Sequence, residues 1–156
     1  MIIKSFNVKN LNTDKNNLFL LYGNNKGSIK DTIKHITKGK KDILSYDEKQ
    51  ILENQQNFLE DILNKSLFDE KKIIIIKRAS DKIKNTLEII NTKKIEDIII
   101  VVSDNLEKKS KLRNFFEKDK NLICIPFYPE NEQTLSRLAF KFLKEKKISI
   151  AQANLN

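Results

Sequence analysis

A single cysteine, Cys124, rules out an internal disulfide and fits a reducing compartment. Glycine occurs three times and proline twice in 156 residues, so boundaries must be read from hydrophobic periodicity rather than from chain breakers. No apolar run approaches the roughly 18 residues that suggest a membrane helix. The opening MIIKSFNVKN is too polar and too interrupted for the apolar stretch of a signal peptide. The expectation is a cytoplasmic protein without a membrane partner. Histidine occurs once, as His35, and no Cys/His cluster has the spacing of a zinc site. Neither an internal repeat nor a low-complexity linker is present.

Charge is plentiful. Charged residues make up 33% of the chain and hydrophobic residues 39%, enough for one core under a heavily solvated surface. The net charge is +9, carried by thirty basic residues of which only Arg78, Arg113 and Arg137 are arginine. Such a field favours polyanions, nucleic acid foremost, but lysines spread along the chain without a block of like charge read first as a solubility feature.

The periodicity alternates between two kinds of segment. Residues 17–22 (NLFLLY) read as a buried strand ending at Gly23, and 28–37 as a helix with Ser28 as N-cap and Ile29, Ile33 and Ile36 on one side. Asp42–Tyr46 reads as a short strand. Residues 47–63 read as one helix with a stripe of Ile51, Leu52, Phe58, Leu59, Ile62 and Leu63. Then follow strand Lys72–Ile76, helix 81–91, strand Ile98–Val102, helix 109–118 and strand Asn121–Pro126. The order β-α-β-α-β-α-β-α-β, with strands apolar on both faces, predicts a five-stranded parallel sheet with helices on each side. Beyond Pro126 and Pro129 an amphipathic helix is expected over Thr134–Lys146. Ser149 to Gln152 look like the start of another helix, so the chain is expected to be one part of a longer protein.

A strand, a glycine and a helix invite comparison with the phosphate-binding P-loop, G-x-x-x-x-G-K-[ST]. Its glycine amides wrap phosphate, its lysine neutralises it and its hydroxyl holds magnesium. The stretch Gly23-Asn24-Asn25-Lys26-Gly27-Ser28-Ile29-Lys30 fails in either register: counted from Gly23, the G-K-[ST] positions hold Ser28, Ile29 and Lys30. A helix N-terminus here could still accept an anion, but a plain strand-to-helix turn is the simpler reading of these residues. The strand Lys72–Ile76 runs into Lys77 and Arg78, placing positive charge where a magnesium-holding acidic pair would stand. Neither ATP hydrolysis nor a cofactor is expected. His35 reads as a helix-surface residue and Cys124 as an inert core residue. Asp104, after IIIVVS, is either a site carboxylate or a helix cap. No G-x-G-x-x-G loop supports a dehydrogenase or Rossmann methyltransferase.

Taken in order, four stretches resemble the delta subunit of bacterial DNA polymerase III, the clamp-loader component that grips the sliding clamp. They are NLFLLYGNN with its helix, KSLFDEKKIIII, VVSDNLEKKSKLRNFFEK, and FYPENEQTLSRLAFKFLKEKKISIAQANLN. The resemblance implies a P-loop NTPase-like, AAA+-type α/β domain over residues 1–128, with Gly23, Asn24, Asn25, Lys26 and Gly27 as a degenerate P-loop. It implies the start of a helical lid over 129–156, with a C-terminal collar domain absent. Ser66, Leu67 and Phe68 are similar to the clamp-binding element, Asn64 standing where the loose peptide pattern Q-x-[SD]-L-F has glutamine. The implied role is to bind the beta sliding clamp and help open the ring for loading on primed DNA, without catalysis of its own. The holoenzyme as a whole is a DNA-directed DNA polymerase, a nucleotidyltransferase. The implied partners are the clamp, the gamma/tau and delta prime subunits, and DNA indirectly within the complex. A degenerate nucleotide-binding enzyme and a basic nucleic-acid-binding module are the alternatives.

Helix geometry offers an independent check on Leu67 and Phe68. With about 100° per residue and Leu59 at zero, a helix running on from residue 63 would carry Leu67 near +80° and Phe68 near 180°, opposite the buried stripe. If the helix stops short, the check lapses and both side chains are free to turn inward.

Overall fold

The structure, a computed structural model, describes residues 1–3, 5, 8, 11, 16–40, 42–64, 71–93, 95–129 and 132–145, excepting the side chains of 132–134, 137, 138, 141 and 145. Five parallel strands form the sheet: β1 (Leu18–Gly23), β2 (Ile43–Asp47), β3 (Ile73–Lys77), β4 (Ile98–Ser103) and β5 (Ile123–Phe127). Their order in space is β2-β3-β4-β1-β5. Between them run α1 (Lys26–Ile36), α2 (Glu48–Glu53), α3 (Gln55–Leu63), α4 (Lys84–Lys93) and α5 (Lys111–Lys118), and α6 (Glu132–Glu145) follows β5.

Alternate strand residues point to opposite faces, so an uninterrupted apolar run can fill two cores at once. Leu20, Tyr22, Ile74, Ile76, Ile99 and Val101 face one side, where Ile51 of α2, Phe58 and Ile62 of α3, Leu87 of α4 and Phe116 of α5 cover them. Phe19, Leu21, Ile75, Ile100, Ile125 and Phe127 face the other, under Ile29 and Ile36 of α1 and Val8. The N-terminus extends the sheet past β5: the Cys124 amide donates to the Met1 carbonyl and the Ile3 amide donates to the Cys124 carbonyl, each at 2.9 Å. The Met1 ammonium in turn donates to the Asp119 carbonyl at 2.8 Å and to that of Leu122 at 2.5 Å.

Several boundaries differ from expectation. The helix expected over 47–63 is two helices, because Asn54 leaves helical geometry (φ −134°, ψ 45°) between α2 and α3. Asp47 both closes β2 and is the N-cap of α2, its amide donating to Gln50 Oε1 at 2.9 Å in a capping box. The cap of helix α1 lies three residues earlier than expected, since Asn25 and not Ser28 is its N-cap: Asn25 Oδ1 accepts from the Ser28 amide at 3.1 Å. The helix expected from residue 81 opens as a 3-10 turn, Asp81–Ile83, capped by Ser80. Ser110 caps α5, accepting from the Arg113 amide at 3.1 Å, and Asp81 reaches across to accept from the Leu112 amide at 3.0 Å. The rule of strands apolar and buried on both faces fails at β2, where Ile43 and Leu44 are exposed. That strand lies at the sheet edge, with β3 as its one neighbour. Residues 146–156, including the expected further helix, lie outside the described residues.

Candidate functional site

In an open parallel sheet, ligands bind beyond the carboxyl ends of the strands, at the crevice where strand order reverses. Here that crevice lies between β1 and β4, and the expected degenerate P-loop sits on it. The chain leaves β1 at Gly23 and enters α1 at Lys26, so only Asn24 and Asn25 form the turn, and Gly27 already belongs to the first helical turn. A P-loop needs four residues between its glycines to wrap phosphate with amides. This turn instead folds onto β5. The Asn25 amide donates to the Phe127 carbonyl at 3.2 Å and the Lys26 amide donates to that of Asn24 at 3.0 Å.

The two glycines differ in what they do. Gly23 sits at φ +132°, and a Cβ there would lie 2.1 Å from the Phe127 carbonyl oxygen. It is required for the close approach of β1 and β5. At Gly27 a Cβ would meet only Asn25 Oδ1, at 3.7 Å, an ordinary contact.

Charge in the crevice is arranged as ion pairs across strand ends. Lys26 pairs with Asp104, which follows β4, and both side chains are exposed. Asp104 is not the cap of α5, whose caps come from Ser110 and Asp81. At the end of β3 the exposed Lys77 precedes Arg78, which adopts φ +54° and pairs with Asp47. The Lys26–Asp104 pair, exposed on both sides, contributes at most about 1 kcal/mol. Lys77 and Arg78 place cations, not carboxylates, where β3 ends.

Sequence reasoning missed one polar cluster beside this edge. Arg113 donates through Nε to Glu117 at 2.7 Å and through Nη1 to the Leu106 carbonyl at 3.2 Å, and its guanidinium lies 5.4 Å from the centre of the Tyr22 ring. It thereby ties the loop after β4 to β1. Burial, and next a hydrogen bond with Tyr128, push the Tyr22 hydroxyl pKa up. The sequence signal available was a lone arginine four residues before a glutamate on an amphipathic helix. His35 is exposed on α1 and Cys124 is fully buried, both as expected.

The other expected site, Ser66, Leu67 and Phe68, lies outside the described residues. Its flanks are described. Helix α3 ends at Leu63 with Asn64 as C-cap, the Asn64 amide donating to the Glu60 carbonyl at 2.9 Å. The angular argument, which needs the helix to run on, therefore lapses. On the far side the Lys72 amide donates to Asp97 Oδ1 at 2.8 Å and the Lys72 carbonyl accepts from the Ile98 amide at 3.0 Å. Residues 65–70 thus join the end of α3 to the amino end of β3. The chain's other Leu-Phe pair, Leu18–Phe19, is buried in β1 and committed to the core.

No protein-family model matches the chain, and no curated protein does. Among solved structures it is similar to the Bacillus subtilis DNA clamp loader delta protein (YqeN), with a TM-score of 0.66 at 13% identity over 96% of this chain and 49% of that one. It is also similar to domain III of the Thermotoga maritima replication initiation protein DnaA, with a TM-score of 0.53 at 15% identity over 97% of this chain and 71% of that one. A chain of the E. coli MS115-1 HORMA:CdnC:Trip13 complex gives 0.60 at 9% identity, over 92% of this chain and 58% of that one. At such identities the likeness is one of fold: a five-stranded parallel sheet flanked by helices. The chain spans about half the length of the clamp loader delta protein. No helix among the described residues is long and apolar enough to cross a membrane.

Proposed function

We propose that this chain is the N-terminal part of a clamp-loader delta subunit, which grips the beta sliding clamp and helps open the ring for loading on primed DNA. The observation that carries the reading is the likeness of fold to a clamp loader delta protein along 96% of the chain. The sequence Ser66-Leu67-Phe68 supports it from another direction. A Leu-Phe pair set among polar residues is the kind of apolar anchor that, seated in a desolvated pocket, carries most of an interface's affinity.

On this reading the subunit acts by binding, not by catalysis. Three features support that. The turn after β1 is too short to wrap a phosphate chain, Lys26 is taken by Asp104, and β3 ends in Lys77 and Arg78. Residues 129–156 open a lid domain, in which α6 presents Leu135, Phe140 and Phe142 largely exposed. The gamma/tau and delta prime subunits join through the AAA+-like domain and through a collar domain beyond this chain.

Surface plasmon resonance against the immobilised clamp tests the reading: saturable binding is expected, and its absence would refute it. Equilibrium dialysis with Mg-ATP tests the non-catalytic part. Micromolar binding would favour a nucleotide-dependent protein instead.

A further inference from the structure

The basic residues are not spread uniformly over the fold. A groove of about 920 Å³ between α4 and α5 is lined by Lys84, Lys109, Lys111, Lys118 and Lys120, with Phe115 among them. Along α5, Lys111, Asn114, Phe115 and Lys118 fall at i, i+3, i+4 and i+7, the spacing of a single helix face. The core face of the same helix carries Leu112 and Phe116, both fully buried. Phe115 is partly buried against the same core and lies at its border with the groove, between Lys111 and Lys118, which are about 10 Å apart along the axis.

Two carboxylates line the groove as well, and both are engaged. Glu88 holds Lys84 at 2.7 Å. Asp119 accepts from the Asn121 amide at 2.8 Å and from Asn91 Nδ2 at 3.3 Å. Lys109 pairs with Glu107 at 3.0 Å. Lys111, Lys118 and Lys120 are exposed and make no ion pair among the described residues. Lys111 lends its charge to the neighbouring Asp81 carboxylate, while Lys118 and Lys120 have no carboxylate partner among the described residues, and such a row of ammonium groups suits a counter-charge that is itself extended.

We propose that this groove binds single-stranded nucleic acid, with Lys111, Lys118 and Lys120 on consecutive phosphates and an unpaired base stacked on Phe115. A partly exposed ring between cations is the combination that sequence-tolerant single-strand binders use: lysines track the backbone and the aromatic face takes the base. Phe115 already meets the buried Phe116 edge to face, with ring centres 5.4 Å apart; an acidic peptide would satisfy the lysines alone, whereas a nucleic acid would also use the part of the ring that borders the groove. The surface lies away from residues 66–68 in sequence, and binding requires no clamp, so the result stands or falls independently of the clamp reading.

Fluorescence anisotropy of the full chain with a labelled oligothymidylate, titrated between about 50 and about 200 mM salt, tests it. The wild-type chain is expected to bind with an affinity that falls steeply with salt. Lys118→Gln with Lys120→Gln should weaken binding about tenfold and reduce the salt slope by about 1.4, two phosphate contacts at about 0.7 each. Phe115→Leu, which keeps the apolar packing, should weaken binding several-fold with the slope unchanged, because stacking is lost and charge is not. Lys30→Gln with Lys34→Gln, the same charge loss on α1 across the sheet, should leave affinity within about twofold. Thermal melts of each variant confirm that the fold is intact. The proposal is overturned by absence of binding, by equal loss from the α1 pair, or by polyglutamate binding as tightly as the oligonucleotide with no response to Phe115→Leu.

Discussion

Gly23 on β1 and Phe127 on β5 lie opposite each other in the parallel register, so close that a Cβ on Gly23 would overlap the Phe127 carbonyl at 2.1 Å. That carbonyl also accepts from the Asn25 amide, so the contact sets both the sheet edge and the turn into α1. Neither backbone can move away without breaking β1–β5 pairing. Gly23→Ala, which adds this overlap to a backbone at φ +132°, should destabilise the fold by at least about 2 kcal/mol. Denaturant unfolding measures it, and a change within about 0.5 kcal/mol would contradict the geometry.

Cys124 lies in β5 with no exposed surface, and burial, aided by the nearby Glu117 carboxylate, pushes its thiol pKa up to about 12. The thiolate is the reactive form, so the native protein should resist thiol-specific reagents at about pH 8. One thiol per chain should titrate on unfolding. Fast native labelling would mean that β5 or the N-terminal residues beside it open locally.

Partial burial alone would push the Asp81 carboxyl up, but hydrogen bonds from the Ser110 hydroxyl and the Leu112 and Lys111 amides, with the charge of Lys111, hold it below its ordinary value. A depressed carboxyl stabilises the fold above its unfolded pKa, about 3.9, and that contribution is lost as pH falls through the lower folded value. Asp81→Asn should therefore show a smaller loss of stability than wild type between about pH 5 and about pH 3. Parallel denaturant midpoints across that range would leave Asp81 without a role in the α5 cap.

Much of this architecture is legible in the residues themselves. The runs Ile73–Ile76 and Ile98–Val101 announce central strands because a strand covered on both faces has no reason to alternate. The edge strand is less legible: Ile43 and Leu44 look as apolar as their neighbours, and their exposure follows from position in the sheet, which periodicity does not encode. Asn54 is a weak local break inside a strong amphipathic stripe, so the stripe conceals it. Caps that act across elements, such as Asp81 on α5 or Glu48 on the Ser80 amide at 2.7 Å, join residues about thirty positions apart and leave no local signature. At the carboxyl edge, the departure of Gly23–Lys30 from the P-loop pattern was readable in the residues, whereas the pairing of Lys26 with Asp104 depends on β1 and β4 lying side by side.

Leu67→Ala combined with Phe68→Ala, measured by surface plasmon resonance against the immobilised sliding clamp, tests the central claim most directly. Clamp binding through these two side chains predicts a loss of at least about 2 kcal/mol, roughly thirtyfold in Kd, with the thermal melt unchanged. A double variant that binds the clamp as tightly as wild type would contradict it.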